Sequence, residues 1–274
     1  MTIDELLATY EEYLNFANYS KETKQRYLRI AEDFLDASRG VMTREAVMKF
    51  MQQHEAKSGT YRRWTMYVIK SLFTQARIVW PFNKREMPKL SKPKQPYFEF
   101  AAFEKFLEGA KTSLLDYALL RVDAVTGARR VELSSLLESD YVRPTLKIRS
   151  AKGSEDRVRT LDAATCSALE RYIRSRKSRD GFLFVSERGM QLTPLLLTKR
   201  FRVLAKSAGL AKGYGYHAIR RGLATWLYRE GWRTKEIGEL VGWKDETMPG
   251  HYVQLVAGEV EQKAKETHPM FTKR

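Results

Sequence analysis

Four side chains within residues 216–253 carry groups that could act on a phosphate: His217, Arg220, Trp243 and Tyr252. A tyrosine hydroxyl has an ordinary pKa of about 10, so it becomes a nucleophile only when it is activated during attack. An arginine guanidinium is permanently charged and can hold two phosphate oxygens at once. Together with a group that moves protons, this set could break a phosphodiester bond without hydrolysis.

An earlier segment supplies further groups of the same kind. Residues 126–133 read Thr-Gly-Ala-Arg-Arg-Val-Glu-Leu and contain Arg129 and Glu132. Lys152 follows in a stretch rich in turn-forming residues, between two runs with the alternation of β-strands. A second arginine could share the negative charge of a phosphate in the transition state, and a lysine could give a proton to a leaving oxygen.

These motifs resemble the catalytic signature of the tyrosine recombinases, the integrase family. The signature joins Thr-Gly-x-Arg-x-x-Glu-Leu to His-x-x-Arg, to a helix ending in Leu-Gly-His or Leu-Gly-Trp, and to a tyrosine nine residues later. His217 and Arg220 match its second part, and Gly242 and Trp243 match its third, with valine before the glycine. Tyr252 lies nine positions after Trp243. The resemblance extends over nearly the whole chain.

The resemblance implies a role for each residue. Arg129 and Arg220 would clamp the scissile phosphate, and Lys152 would protonate the leaving 5′ oxygen. The remaining roles are proton transfer by His217, phosphate support by Trp243, attack by Tyr252 to give a 3′-phosphotyrosyl bond, and orientation of the first arginine by Glu132. Because the covalent link conserves the energy of the phosphodiester, the resemblance implies no metal, no ATP and no other cofactor.

Neighbouring basic residues compete with these assignments. The register of the motifs favours the two named arginines over Arg130 and Arg221, which directly follow them. Lys147 lies on the same predicted hairpin as Lys152 and is the alternative proton donor. The chain departs from the family at Arg221, where histidine is more common, and at Gly222, where serine or threonine is more common. These departures put the local packing of that helix in question.

The composition indicates a basic globular protein with a polyanionic partner. The formal net charge is +16, of which residues 1–96 contribute +6 and the remainder +10. This spread suggests a ligand that two domains contact. The single cysteine, Cys166, cannot form an internal disulfide, which suits a reducing compartment. No apolar run is long enough to span a membrane and no signal peptide is visible, so we expect a cytoplasmic, DNA-associated protein.

The first part of the chain has the pattern of a small helical domain, residues 1–83. Thr2, Ser20, Thr43 and Thr60 are predicted to begin four amphipathic helices, each with apolar residues at helical spacing. This domain resembles the core-binding domain that closes over DNA in the integrase family. Its candidate DNA contacts are the basic residues of the polar faces, Lys21, Lys24, Arg62, Arg63, Lys70 and Arg77.

Residues 84–97 are expected to form an extended basic linker, because they contain three prolines and five basic side chains. The second domain, residues 98–274, is predicted to be mixed but mostly helical. Its strand-like runs around Leu146 and Val158 indicate a small antiparallel sheet. Thr193 and Pro194 are predicted to begin a helix whose basic residues Lys199, Arg200 and Arg202 are further candidate DNA contacts.

The sequence therefore predicts a mainly α, two-domain tyrosine recombinase that cuts and rejoins double-stranded DNA. The resemblance implies a homo-oligomer, with a dimer on each site and a tetramer in synapsis, and a tail after Tyr252 that acts between subunits. The alternatives are a type IB topoisomerase, which the compact helical first domain disfavours, and a DNA-binding protein of the same fold without activity. A basic RNA-binding protein is a third alternative, but the chain has no aromatic RNA-binding motif.

Overall fold

The computed structural model describes residues 2–90, 95–150 and 155–243. Two of the predicted site residues, Lys152 and Tyr252, lie outside these ranges, as does the tail that follows Tyr252. The structure therefore bears on the arginines, on His217 and on Trp243.

The first unit of the chain comprises residues 1–94. All regular secondary structure in its described part is helical. Tyr10, Phe34 and Leu72 are completely buried and lie at the centre of one apolar cluster. Burial of such faces, rather than helix propensity alone, stabilises helices of this length. The helices are α1 (Ile3–Phe16), α2 (Lys21–Ser38), α3 (Arg44–Gln52) and α4 (Gly59–Gln75).

Side-chain hydroxyl groups determine where these helices begin. Thr2, Ser20 and Thr43 each accept a hydrogen bond from a backbone N–H of the helix that follows, as predicted. The prediction for the fourth helix is wrong by two residues. Ser58, not Thr60, provides the cap, because its hydroxyl accepts the first-turn N–H at 3.1 Å.

The second unit, residues 95–274, contains seven α-helices in its described part. At its centre lies α6, in which Leu119, Leu120 and Val122 are completely buried, and which packs against α8 and α10. These helices are α5 (Phe100–Gly109), α6 (Leu114–Thr126), α7 (Arg130–Ser135), α8 (Ala163–Ser175), α9 (Pro194–Ser207), α10 (Tyr216–Arg229) and α11 (Thr234–Val241). Thr193 caps α9 and Pro194 is its first residue, as predicted.

A three-stranded antiparallel sheet stands between α7 and α8, with the order β1 (Tyr141–Val142), β2 (Thr145–Ile148) and β3 (Arg157–Thr160). The predicted alternation in β2 is confirmed, since Leu146 and Ile148 are buried on one face. In β3 the buried residue is Arg157, whereas Val158 is 57% exposed. A mainly helical fold with a small antiparallel sheet is thus confirmed.

Within the described ranges, every helix is too short or too polar to cross a lipid bilayer. The same ranges contain no group of three or more His, Cys, Asp or Glu side chains placed to hold a metal ion.

Candidate active site

A glycine places Arg129 at the start of α7. Gly127 has a φ of 56°, in the left-handed region, and ends α6. A β-carbon at this position would lie 2.8 Å from a methyl group of Val241, so α11 approaches the backbone here as closely as glycine allows. The chain turns at this point, and Arg129 becomes the residue that precedes the first turn of α7.

The carboxylate of Glu132 fixes Arg129. Its Oε2 accepts the backbone N–H of Arg129 at 2.8 Å, and its Oε1 accepts Nη1 of the same residue at 2.8 Å. Arg157 of β3 donates from Nη2 to Oε2 at 2.7 Å. Burial alone would raise the pKa of Glu132, but these bonds outweigh burial and hold the pKa below its ordinary value. The acid therefore remains charged between two arginines.

Arg157 is a member of this site that the sequence did not predict. It is 8% exposed, and its guanidinium lies against the backbone of Gly242, where a β-carbon would be 3.1 Å from Nη1. Gly242 has a φ of 73°. Its left-handed conformation favours glycine, and the absence of a side chain leaves room for the close approach of Arg157.

Arg220 of α10 is completely buried and binds backbone carbonyls from two separate parts of the chain. Its Nη1 donates to the carbonyl oxygen of Gly127 and to that of Val241, the latter at 2.6 Å. Arg129 donates from Nη2 to the carbonyl of the next residue, Gly242, at 2.6 Å. The two predicted catalytic arginines therefore meet at consecutive carbonyl groups at the end of α11.

The arginines that follow them in the sequence point elsewhere. Arg130 donates to the hydroxyl of Thr198 on α9 at 2.7 Å. Arg221 donates from Nε to the carbonyl of Pro96 at 2.9 Å. Neither of these hydrogen bonds is made to a residue at the end of α11.

The departure from the family pattern at Gly222 has a packing explanation. A β-carbon on Gly222 would lie 2.8 Å from the carbonyl oxygen of Phe98 and 2.9 Å from the ring of Trp226. The same carbonyl accepts the indole N–H of Trp226 at 2.8 Å. Residues 96–98 thus lie directly on α10, and this close approach excludes serine or threonine at position 222.

His217 stands in the first turn of α10 and keeps an accessible surface. The surrounding protein and the positive charges of nearby arginines lower its pKa to about 4, with burial as the largest cause and Arg220 as the next. The imidazole is therefore neutral at pH 7 and has a nitrogen that can accept a proton.

Trp243 is held by the turn that ends α11. The backbone N–H groups of Gly242 and Trp243 both donate to the carbonyl of Gly238, at 2.8 and 2.9 Å. The indole ring lies over Gly238, where a β-carbon would come within 3.2 Å of it, and packs on the cluster that contains Ile237 and Val241. The fixed ring orientation follows from this packing.

Lys147, the alternative to Lys152, pairs with the carboxylate of Asp156 at 3.2 Å in the described part of the hairpin. The basic residues predicted to contact DNA divide into two groups. Lys21, Lys70, Lys199 and Arg202 are exposed. Arg77 is exposed as well, whereas Lys24, Arg62, Arg63 and Arg200 are partly covered.

Arg200, which is predicted to contact DNA, makes its observed contacts within the protein. Its guanidinium pairs with the buried carboxylate of Asp116, with Nη2 at 2.8 Å from Oδ2, and also contacts the hydroxyl of Ser113 at 3.1 Å. The side chain therefore joins α9 to α6. The contacts that the structure gives Arg200 are internal, and its contact with DNA stays a prediction.

A cleft of about 900 Å³ opens beside His217, between α9 and the glycine-rich segment that leads into α10. Its basic lining residues are Arg130, Arg202, Lys206 and Lys212. Lys206 and Lys212 are exposed.

The comparisons with known proteins identify the family. The model of the phage integrase family matches residues 97–259, more than half of the chain. The chain belongs to this family. Its resemblance to the tyrosine recombinases is confirmed by tyrosine recombinase XerD of Listeria monocytogenes serotype 4b (strain F2365), which is 25% identical over 269 residues, covering 89% of this chain and 91% of that protein.

Two solved structures share the fold of this integrase-family chain. The Tn1549 transposon integrase in complex with transposon right end DNA superposes with a TM-score of 0.77 at 19% identity, covering 97% of this chain and 99% of that one. The lambda integrase tetramer bound to a Holliday junction gives a TM-score of 0.74 at 19% identity, covering 93% and 78%. At this level of identity they support the fold.

Asp123 of α6 is a buried acid close to these arginines. It is completely buried, and neither carboxyl oxygen has a hydrogen-bond partner among the residues that the structure describes. Burial raises its pKa well above the ordinary value, Arg220 opposes this shift, and Glu132 adds to it. The group is protonated in the folded protein at pH values where it would be charged in the unfolded chain.

We therefore expect Asp123→Asn to stabilise the protein at pH 7.5. A raised folded-state pKa lowers stability as pH rises above the unfolded value of about 4. Removing the titration should therefore increase the free energy of unfolding at pH 7.5 and raise the thermal midpoint at that pH. Thermal unfolding from pH 4 to pH 8 would measure this, and the gain should disappear towards pH 4. An equal effect at both pH values would contradict the assignment.

Proposed function

We propose that this protein is a site-specific DNA recombinase that cleaves and rejoins duplex DNA through a 3′-phosphotyrosyl intermediate. The observation that carries the proposal is the meeting of Arg129 and Arg220, from α7 and α10, at consecutive carbonyls at the end of α11. Two guanidinium groups held side by side can stabilise the charge that develops on a phosphate under attack. Family membership supports the same chemistry.

In this proposal each residue keeps the role that the sequence predicted. Arg129 and Arg220 clamp the phosphate, and Glu132, itself held by Arg157, orients the first of them. His217, neutral at pH 7, accepts a proton as the nucleophile is activated. The remaining assignments are attack by Tyr252, protonation of the leaving oxygen by Lys152, and support of the phosphate by Trp243.

Double-stranded DNA is the proposed partner, bound by both units. The cleft beside His217 carries positive charge next to the clamp, so a DNA backbone could continue from the scissile phosphate along α9. In the first unit the exposed Lys21, Lys70 and Arg77 are the contacts we favour. We propose that residues 1–83 act as the core-binding domain, that residues 84–97 act as the linker, and that residues 98–274 act as the catalytic domain.

We propose further that the protein works as a homo-oligomer, with a dimer on each site and a tetramer in synapsis. The lambda integrase tetramer bound to a Holliday junction, which shares the fold, supports this proposal. The tail after Tyr252 would act between subunits, and the protein would be cytoplasmic and associated with DNA. The relatives are named recombinases and integrases, which favours recombination over topoisomerase-like relaxation or a purely DNA-binding role.

The proposal is tested with a library of nicked duplexes of randomised sequence. A nick close to the cleavage site lets a short fragment diffuse away, so the protein stays covalently attached. We expect an attachment that resists detergent, forms without metal or ATP, and joins the protein to a 3′ phosphate at one recovered sequence. Binding to the library without any covalent attachment would favour the alternative of an inactive DNA-binding protein.

A further inference from the structure

The end of α11 is capped by an unusual number of arginines. A helix leaves its last four carbonyl groups without partners of its own. Here the carbonyl of Gly238 accepts the two backbone N–H groups of the turn. Each of the next four carbonyls, from Glu239 to Gly242, accepts a hydrogen bond from an arginine side chain.

Three elements supply these arginines. Arg220 of α10 and Arg129 at the start of α7 each bind one of the last two carbonyls at 2.6 Å. Arg159 of β3 binds the two carbonyls before them. Its Nε lies 2.8 Å from the carbonyl oxygen of Leu240, and its Nη2 donates to that of Glu239.

Arg159 differs from Arg129 and Arg220 because every nitrogen of its guanidinium group donates a hydrogen bond within the protein. The third nitrogen, Nη1, donates to the carbonyl of Val158 at 2.7 Å. All three nitrogens thus bind backbone oxygens. The side chain spans from the sheet to the helix end in a fixed direction, and it adds a positive charge where the helix dipole is negative.

The position of α11 matters to both predicted catalytic arginines. The helix has eight residues, too few to be stable without contacts from the rest of the protein. If its end shifts, the carbonyls of Val241 and Gly242 move away from Arg220 and Arg129. Trp243 moves as well, because its ring and its backbone N–H are tied to Gly238 in the same helix.

We propose that Arg159 is a positioning residue for DNA cleavage, which fixes the end of α11 and thereby the relative placement of Trp243 and the two clamp arginines. The inference rests on the proposed function and assigns Arg159 no contact with DNA. It also explains why β3 presents arginines at positions 157 and 159, two residues apart and hence on one face of the strand.

The test compares two substitutions. Arg159→Gln removes the positive charge and the guanidinium group that binds two carbonyls of α11, whereas Arg159→Lys keeps the charge and can bind one carbonyl. We expect DNA affinity to stay within about twofold and single-turnover cleavage to fall about tenfold or more in the glutamine variant, because small displacements in an active site are costly. The lysine variant should recover part of the rate. Arg143→Gln is the matched control, since Arg143 lies in the turn between β1 and β2 and pairs with Glu170 on α8.

A spectroscopic measurement follows the position of Trp243 directly. The chain has five tryptophans, so ¹⁹F NMR of protein labelled with 5-fluorotryptophan gives few signals. Loss of one signal in Trp243→Phe assigns it. We expect Arg159→Gln to shift or broaden this signal and to leave those of Trp64 and Trp80, in the first unit, unchanged. This readout requires no DNA cleavage, so it remains informative if the proposed function fails.

Three results would overturn the proposal. In the first, the signal of Trp243 stays unchanged in Arg159→Gln. In the second, cleavage by that variant proceeds at the wild-type rate. In the third, Arg159→Lys loses as much activity as Arg159→Gln while both lose thermal stability equally, which indicates a general contribution to folding. If the glutamine variant does not fold, Arg159→Lys alone decides, with a shifted Trp243 signal expected and an unchanged one contradicting the proposal.

Discussion

Arg220→Lys is expected to lower the single-turnover rate of DNA cleavage by about 10²–10³-fold, with much less effect on DNA affinity. Lysine keeps the positive charge but loses the planar fork that can hold two phosphate oxygens. A donor aimed at the charge of the transition state typically contributes an effect of this size. The side chain is completely buried, so the loss reflects geometry rather than a weaker attraction to bulk DNA.

The matched control is Arg221→Lys, the same change one residue later. Arg221 donates a hydrogen bond to the carbonyl of Pro96, which is not part of the end of α11. We expect it to cleave within a few-fold of the wild type. Thermal midpoints of both variants separate catalytic from folding effects. If Arg221→Lys lost activity and Arg220→Lys kept it, the assignment of the two positions would be reversed.

Tyr252→Phe is expected to abolish covalent attachment to DNA and to leave binding unchanged. Phenylalanine keeps the ring and removes the oxygen that would form the 3′-phosphotyrosyl bond. Trapping on the nicked duplex recovered from the library measures attachment, and a gel-shift titration measures affinity. Tyr228→Phe, near the end of α10, is the control and should attach normally. Covalent attachment by Tyr252→Phe would show that the nucleophile is another residue.

Local signals in the sequence were sufficient to predict much of the fold. A hydroxyl group before an apolar face predicted three helix starts correctly, at Thr2, Ser20 and Thr43. The fourth failed because both Ser58 and Thr60 are of types that cap helices, and it is the hydroxyl of Ser58 that accepts the N–H of Tyr61. The alternation of buried and exposed residues in β2 also depends on neighbouring residues alone, and it was predicted correctly.

The contacts around the site could not be predicted because they join distant parts of the chain. Glu132 and Arg157 are 25 residues apart, and Arg159 and the carbonyl of Leu240 are 81 apart. The sequence placed Val158 on a strand but did not show that Arg157 and Arg159 of this strand would bind a buried carboxylate and a helix end. Asp123 was missed for the same reason, since nothing near it in the sequence marks it as buried.

The sequence motifs did identify the two arginines that the structure brings together. Their register in Thr-Gly-x-Arg and His-x-x-Arg distinguished Arg129 and Arg220 from their neighbours. The departure at Gly222 needed the structure, because the carbonyl of Phe98 that excludes a larger side chain comes from more than a hundred residues earlier.

The most direct test of the account is to identify the residue that becomes attached to DNA. Wild-type protein trapped on the recovered nicked duplex would be digested with nuclease and protease, and the modified peptide would be sequenced by mass spectrometry. We predict a nucleotide linked through its 3′ phosphate to Tyr252. A nucleotide on any other residue, or one linked through its 5′ phosphate, would contradict the proposed mechanism.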